Sequence, residues 1–154
     1  QLGSGEVFVT VDSDSEVDTD TLCNLVSPFV TNPECGAVAG NIRVLNTTDA
    51  LLPKMLDVSF VLSFEFVRSA ESTLNSVLCT PGALAAYRRK AVFNCLESWI
   101  NQTFMGKPSD IGEDRAMTNM ILKQGYPNRF RRTRESWATM PSARMEHTWH
   151  MPQR

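Results

Sequence analysis

At 154 residues, 42% of them hydrophobic and 21% charged, the chain has the make-up of one globular domain able to bury a sizeable core, which excludes fibrous and disordered classes. A formal net charge of −2 leaves no overall basic surface, so composition implies no nucleic-acid partner. The longest apolar segment, Leu51 to Val67, is interrupted by Pro53, Lys54, Asp57 and Glu65 and fails as a bilayer crossing.

In chain order, residues 6–11 read as a buried strand and Asp12 to Asp18 as the loop after it. Asp20 caps a predicted helix whose apolar face is Leu22, Leu25, Val26 and Phe29. Pro33 and Gly36 mark a turn, and Ala37 to Leu45 is a second strand. A long helix is expected from Thr48 or Asp49 to about Ser72, with Pro53 in its first turns and Leu52, Met55, Leu56, Ser59, Leu62 and Phe66 along one side. Core packing is the simpler account of that stripe, and a membrane surface is the alternative. Residues 75–80 suggest a short strand, Pro81-Gly82 a turn, 83–87 a further strand and 90–100 a helix. Asp110 to Gln124 is the cleanest helix, with acids at its start, Met117, Met120 and Ile121 on one face and Gly125 as its stop. Alternating strands and helices predict an α/β fold.

Two acidic motifs carry the chemistry. Side chains two apart on a strand point the same way, so Asp12 and Asp14 can converge on one cation at the carboxyl end of the first strand. Carboxylate oxygens suit a hard divalent ion that shares its remaining positions with phosphate and water. An acidic, solvated turn explains Asp-Ser-Asp-Ser equally well on its own. The second motif, Gly112-Glu113-Asp114-Arg115, opens the last helix. A carboxylate there is expected to stay ionised beside the helix N-terminus, where it can take a proton from a hydroxyl. An ordinary acidic first turn is the alternative.

Taken in order, Val11-Asp12-Ser13-Asp14-Ser15, Cys79-Thr80-Pro81-Gly82, Tyr87-Arg88-Arg89 and Gly112-Glu113-Asp114-Arg115 with Leu122-Lys-Gln-Gly125-Tyr126 resemble the processive family 2 glycosyltransferases. These include hyaluronan synthases, chitin synthases and the rhizobial chitin-oligosaccharide synthase. The resemblance covers roughly residues 5–130. It implies a GT-A type mixed α/β sheet flanked by helices, with the family's first strands preceding Gln1. It further implies Mg²⁺ or Mn²⁺ on Asp12 and Asp14, bridging the phosphates of a UDP-sugar donor that Asp12 also contacts. Asp114 matches the base that deprotonates the acceptor sugar for inverting attack, with Glu113 and Arg115 supporting it or touching substrate. Thr80, Pro81 and Gly82 match the loop at the terminus of an oligo- or polysaccharide acceptor, where glycine lets backbone approach a sugar.

The expected organisation is a partial catalytic domain over 1–135 and a divergent tail over 136–154. The Gln-x-x-Arg-Trp motif of the family is not found. Membrane attachment would come through segments outside this chain, with the domain on the cytoplasmic side of the plasma membrane. N-acetylglucosamine is the preferred donor sugar, with glucuronic acid as a possible second. A non-processive family 2 transferase and a non-catalytic metal-binding module are the competing functions. Four cysteines with no Cys-x-x-Cys pair read as buried free thiols, Cys79 among them. His147 and His150 with Glu146 are set aside as incidental, and Arg129, Arg131, Arg132 and Arg134 are read as solvated arginines on a strand edge.

Overall fold

The computed structural model describes residues 5–104, 106–108, 112–131 and 137–140. Its strands are β1 (Val7–Val11), β2 (Glu16–Val17), β3 (Ala37–Ala39), β4 (Asn41–Val44), β5 (Leu84–Arg88), β6 (Thr103–Phe104), β7 (Lys107–Pro108), β8 (Asn128–Phe130) and β9 (Trp137–Met140). The helices are α1 (Thr21–Thr31), α2 (Leu51–Phe60), α3 (Ser69–Thr73), α4 (Arg89–Ile100) and α5 (Glu113–Lys123), and a π-helical segment, Val61–Arg68, joins α2 to α3.

The central sheet runs β1-β5-β3-β8 and is mixed, as expected: β5 is antiparallel to β1 and β3, while β8 is parallel to β3. Side-chain alternation along β5 feeds two cores. Leu84 and Ala86 pack with Leu25, Phe29 and Phe64 from α1 and the 51–73 helix. Ala85 and Tyr87 pack with Ala91, Cys95, Met117 and Ile121 from α4 and α5. The helices therefore flank the sheet on both faces. A smaller sheet, β2-β9-β4, and the β6-β7 pair complete the topology.

Several local expectations are corrected by tertiary context. β1 is the outer strand of its sheet rather than a buried one, and Val9 and Val11 are 37% and 41% exposed. The 37–45 run breaks at Gly40 into β3 and β4, which pair in different sheets. Residues 75–80 form no strand; Ser76 makes a single bridge to Asn128. Asp20 takes the N-cap position of α1 without a side-chain cap bond, and Leu22 faces solvent.

The 51–73 helix buries its expected stripe only in part, with Leu52 and Leu56 half-buried. Met55, Leu62 and Phe66 are 61%, 59% and 74% exposed. Its inner face buries Pro53 and Phe64 beside a charged cluster, in which Arg43 of β4 donates to both Asp57 oxygens, at 2.8 and 2.6 Å, and lies 3.6 Å from Glu65. The wider turn of the π segment also rotates later residues away from a stripe extrapolated at 3.6 residues per turn.

Gly36 is a glycine for lack of room. A Cβ there would strike Tyr126 Cβ and come within 2.6 Å of Ile121 Cγ2. Gly36→Ala is expected to cost about 1–3 kcal/mol by overpacking. The measurement is the urea midpoint at constant m-value; an unmoved midpoint would show that Tyr126 yields freely.

Candidate active site

The two acidic motifs and the 79–82 loop meet at one end of the central sheet. Antiparallel pairing of Val11 with Leu84 sets the turn after β1 beside the loop that leads into β5. Asp12 and Asp14 are both exposed on that turn, which closes through Ser15 N–H donating to Asp12 O at 3.1 Å. Among the described residues no third His, Cys, Asp or Glu gathers with them into a metal-binding group. Two exposed carboxylates without imidazole or thiolate fit a hard divalent cation that completes its shell with phosphate oxygens and water.

Asp114 enters from the opposite side. Gly112, in the left-handed region at φ +76°, turns the chain into α5. This presents Asp114 in the first helical turn toward the loop, and its Oδ2 accepts the Gly82 N–H at 2.8 Å. Burial pushes the Asp114 carboxyl above its ordinary range, and the negative charges of Glu113 and Asp12 add to the rise. The Gly82 bond opposes it but does not outweigh burial. The hydrogen bond that holds this acid comes from another loop, and partial desolvation is the largest influence on its pKa. The influence of Asp12 on Asp114 also joins the two motifs electrostatically.

Gly82 is small because of this acid. A Cβ on it would lie 3.0 Å from both Asp114 oxygens. What its backbone approaches is the carboxylate.

Behind the loop lies a buried hydroxyl cluster that sequence reasoning missed. Thr80 and Thr118 are fully buried, and their hydroxyl oxygens lie 2.7 Å apart. The Thr80 hydroxyl also reaches Tyr87 Oη at 2.8 Å. Thr80 thus turns its side chain inward, while Pro81 and Gly82 form the half-exposed part of the loop. Thr118 stands four residues after Asp114, a spacing that puts both on one helix face and was the available signal.

Glu113 is exposed, and its backbone carbonyl accepts Trp99 Nε1–H at 2.9 Å. Arg115, also exposed, lines a polar cleft of about 370 Å³ with Arg68, Glu71, Cys79 and Asn119. On the other side, Glu113 and Asp114 border an apolar cleft of about 310 Å³ walled by Phe8, Tyr87, Trp99 and Met117.

Arg88 of the Tyr-Arg-Arg segment has a structural task. It donates to the carbonyls of Cys35, Phe29 and Asn32, at 2.7, 3.2 and 3.3 Å, and so caps the carboxyl end of α1. All four cysteines are free; Cys35 and Cys95 are buried, whereas Cys79 is half-buried and Cys23 exposed. Burial pushes the Cys35 thiol up to about 11, leaving it inert. Arg129 on β8 and Arg131 just after it are half-buried rather than solvated. Asp110, Arg132, Arg134, Glu146, His147 and His150 lie outside the described residues.

A chitin synthase family model matches residues 3–143. An N-acetylglucosaminyltransferase of Rhizobium meliloti (strain 1021) is 40% identical over 123 residues, 80% of this chain and 29% of that protein. Hyaluronan synthase 1 of Xenopus tropicalis is 31% identical over 142 residues, 92% of this chain and 24% of that protein. The chain thus spans less than a third of the length of these relatives. Among solved structures, the mannosyltransferase PcManGT of Pyrobaculum calidifontis, in complex with GDP-Man and Mn²⁺, has TM-score 0.58 at 24% identity, covering 96% of this chain and 35% of that one. That likeness is one of fold, and the fold is the GT-A type α/β architecture. Matched over most of its length by the family model, the chain belongs to the chitin synthase family of glycosyltransferases.

Proposed function

We propose that this chain carries the donor-phosphate and acceptor-activating centre of an inverting β-glycosyltransferase that extends a polysaccharide from a UDP-sugar. The observation that carries the reading is the junction of Asp12, Gly82 and Asp114 at the end of one sheet. Asp114 takes the proton from the acceptor hydroxyl as that oxygen attacks the anomeric carbon. Its raised pKa makes it a stronger base than an ordinary aspartate. Asp12 and Asp14 would hold Mg²⁺ or Mn²⁺, and the ion would supply positive charge against the diphosphate of the departing UDP. Pro81 and Gly82 border the acceptor terminus, Glu113 lines the apolar cleft that the base borders, and Arg115 contacts substrate from the separate polar cleft.

N-acetylglucosamine is the proposed donor sugar, supported by relatives named N-acetylglucosaminyltransferase. Relatives named hyaluronan synthase keep glucuronic acid as a second donor. The Mn²⁺ and sugar nucleotide of the mannosyltransferase complex support metal-assisted donor binding. No described helix is long and apolar enough to cross a membrane. In the whole protein, attachment to the plasma membrane is assigned to segments outside this chain, with the present domain on the cytoplasmic side.

Calorimetric titration of UDP with Mn²⁺, and again with chelator, tests the donor side. Binding is expected to require the metal and to be lost in Asp14→Ala. Heat of binding that survives both chelation and the substitution would remove the metal assignment.

A further inference from the structure

The hydroxyl of Thr118 joins the candidate base to the acceptor-side loop. It donates to Asp114 O at 2.6 Å and accepts the Thr80 N–H at 3.1 Å. It also lies 2.7 Å from Thr80 Oγ1, whose neighbour Tyr87 returns its own proton to Thr80 O at 3.3 Å. Two residues further along the same loop, Gly82 N–H reaches the Asp114 carboxylate at 2.8 Å. The loop therefore grips Asp114 at two points, the backbone carbonyl through Thr118 and the carboxylate through Gly82. Thr80 and Thr118 are shut off from water, so no solvent molecule replaces a lost partner cheaply.

We propose that Thr118 is a positioning residue whose hydroxyl sets the register between Asp114 and the 80–82 loop, so that base and acceptor terminus keep one geometry. The proposal rests on the reading of Asp114 as the base. A second anchor makes the effect local: Asn128 Nδ2 donates to Thr118 O at 3.3 Å and to Val77 O at 3.5 Å, so the middle of α5 stays tied to its neighbours without the hydroxyl.

Thr118→Val keeps the shape and removes the hydroxyl, and Thr118→Ser restores it. In amide hydrogen exchange, Gly82 is expected to exchange at least about tenfold faster in Thr118→Val, with Val38 and Ala86 in the central strands unchanged. In the whole protein, kcat for transfer from UDP-N-acetylglucosamine is expected to fall about tenfold with donor KM unchanged. Thr118→Ser is expected to recover both. If Thr118→Val fails to fold, Thr118→Ala serves for the same comparison. Unchanged Gly82 exchange, or faster exchange spread equally over Val38 and Ala86, overturns the proposal. Asp114→Asn is assayed in parallel. Retained transfer in that variant defeats the base reading, whereas Gly82 exchange in Thr118→Val still decides whether the register device exists.

Discussion

Asp114→Asn is expected to reduce sugar transfer by about 10²- to 10⁴-fold while leaving metal-dependent UDP binding in place. Asparagine keeps an acceptor for the Gly82 N–H but cannot take a proton. The same residue sets a pH dependence. Burial raises the Asp114 carboxyl above its ordinary 3.8, and a base works only when ionised. Rate should therefore fall as pH drops through this raised value, and the acid limb should lie above that of an unperturbed aspartate. The stability effect has the opposite sense. A carboxyl with a raised folded pKa contributes stability below its ordinary value and loses that contribution as pH rises through the raised one. At neutral pH the ionised group is a net burden to the fold, so Asp114→Asn should melt no lower than the parent. Transfer unchanged in the variant, or an acid limb at the ordinary aspartate value, would dismiss Asp114 as the base.

Gly82→Ala should impair catalysis through the same carboxylate from the other side. The new methyl would sit 3.0 Å from each Asp114 oxygen and 3.3 Å from Cγ, closer than real contacts usually come. The carboxylate has to give by a few tenths of an ångström, and it is also held by the Gly82 N–H. Displacing a reacting group on this scale is expected to cost about 10- to 100-fold in kcat. UDP affinity should be unaffected, because Asp12 and Asp14 lie on a separate turn. Full kcat in Gly82→Ala would show that the loop does not constrain the base. Gly82 has an ordinary backbone conformation, unlike Gly112 at φ +76°, so the effect comes from contact and not from strain.

Much of the local structure was legible because it depends on local pattern. The acids after a β-rich run, the acidic start of α5 and Gly125 at its end (φ +88°) are short-range signals, and each falls where expected. The order of four motifs carried the family because spacing along a chain survives where single motifs are common. The helix over 51–73 was legible as a helix but only in part in its orientation. Its apolar stripe pointed to the core, yet Arg43, on a strand eight residues before the helix begins, draws Asp57 and Glu65 inward and leaves Phe66 outside. The spacing of Thr118 from Asp114 was the one signal it carried, and its meaning appears only when Thr80 is folded against it.

By itself, the sequence determined the α/β class and the family, since these follow from residue order and short-range periodicity. Only the tertiary structure decided that Asp114 is partly desolvated and bonded to Gly82, and that Thr80 and Thr118 share a buried cluster. It also decided that β1 lies at a sheet edge. Each of these depends on what segments distant in sequence exclude from water or place within hydrogen-bonding distance, and no local pattern encodes that.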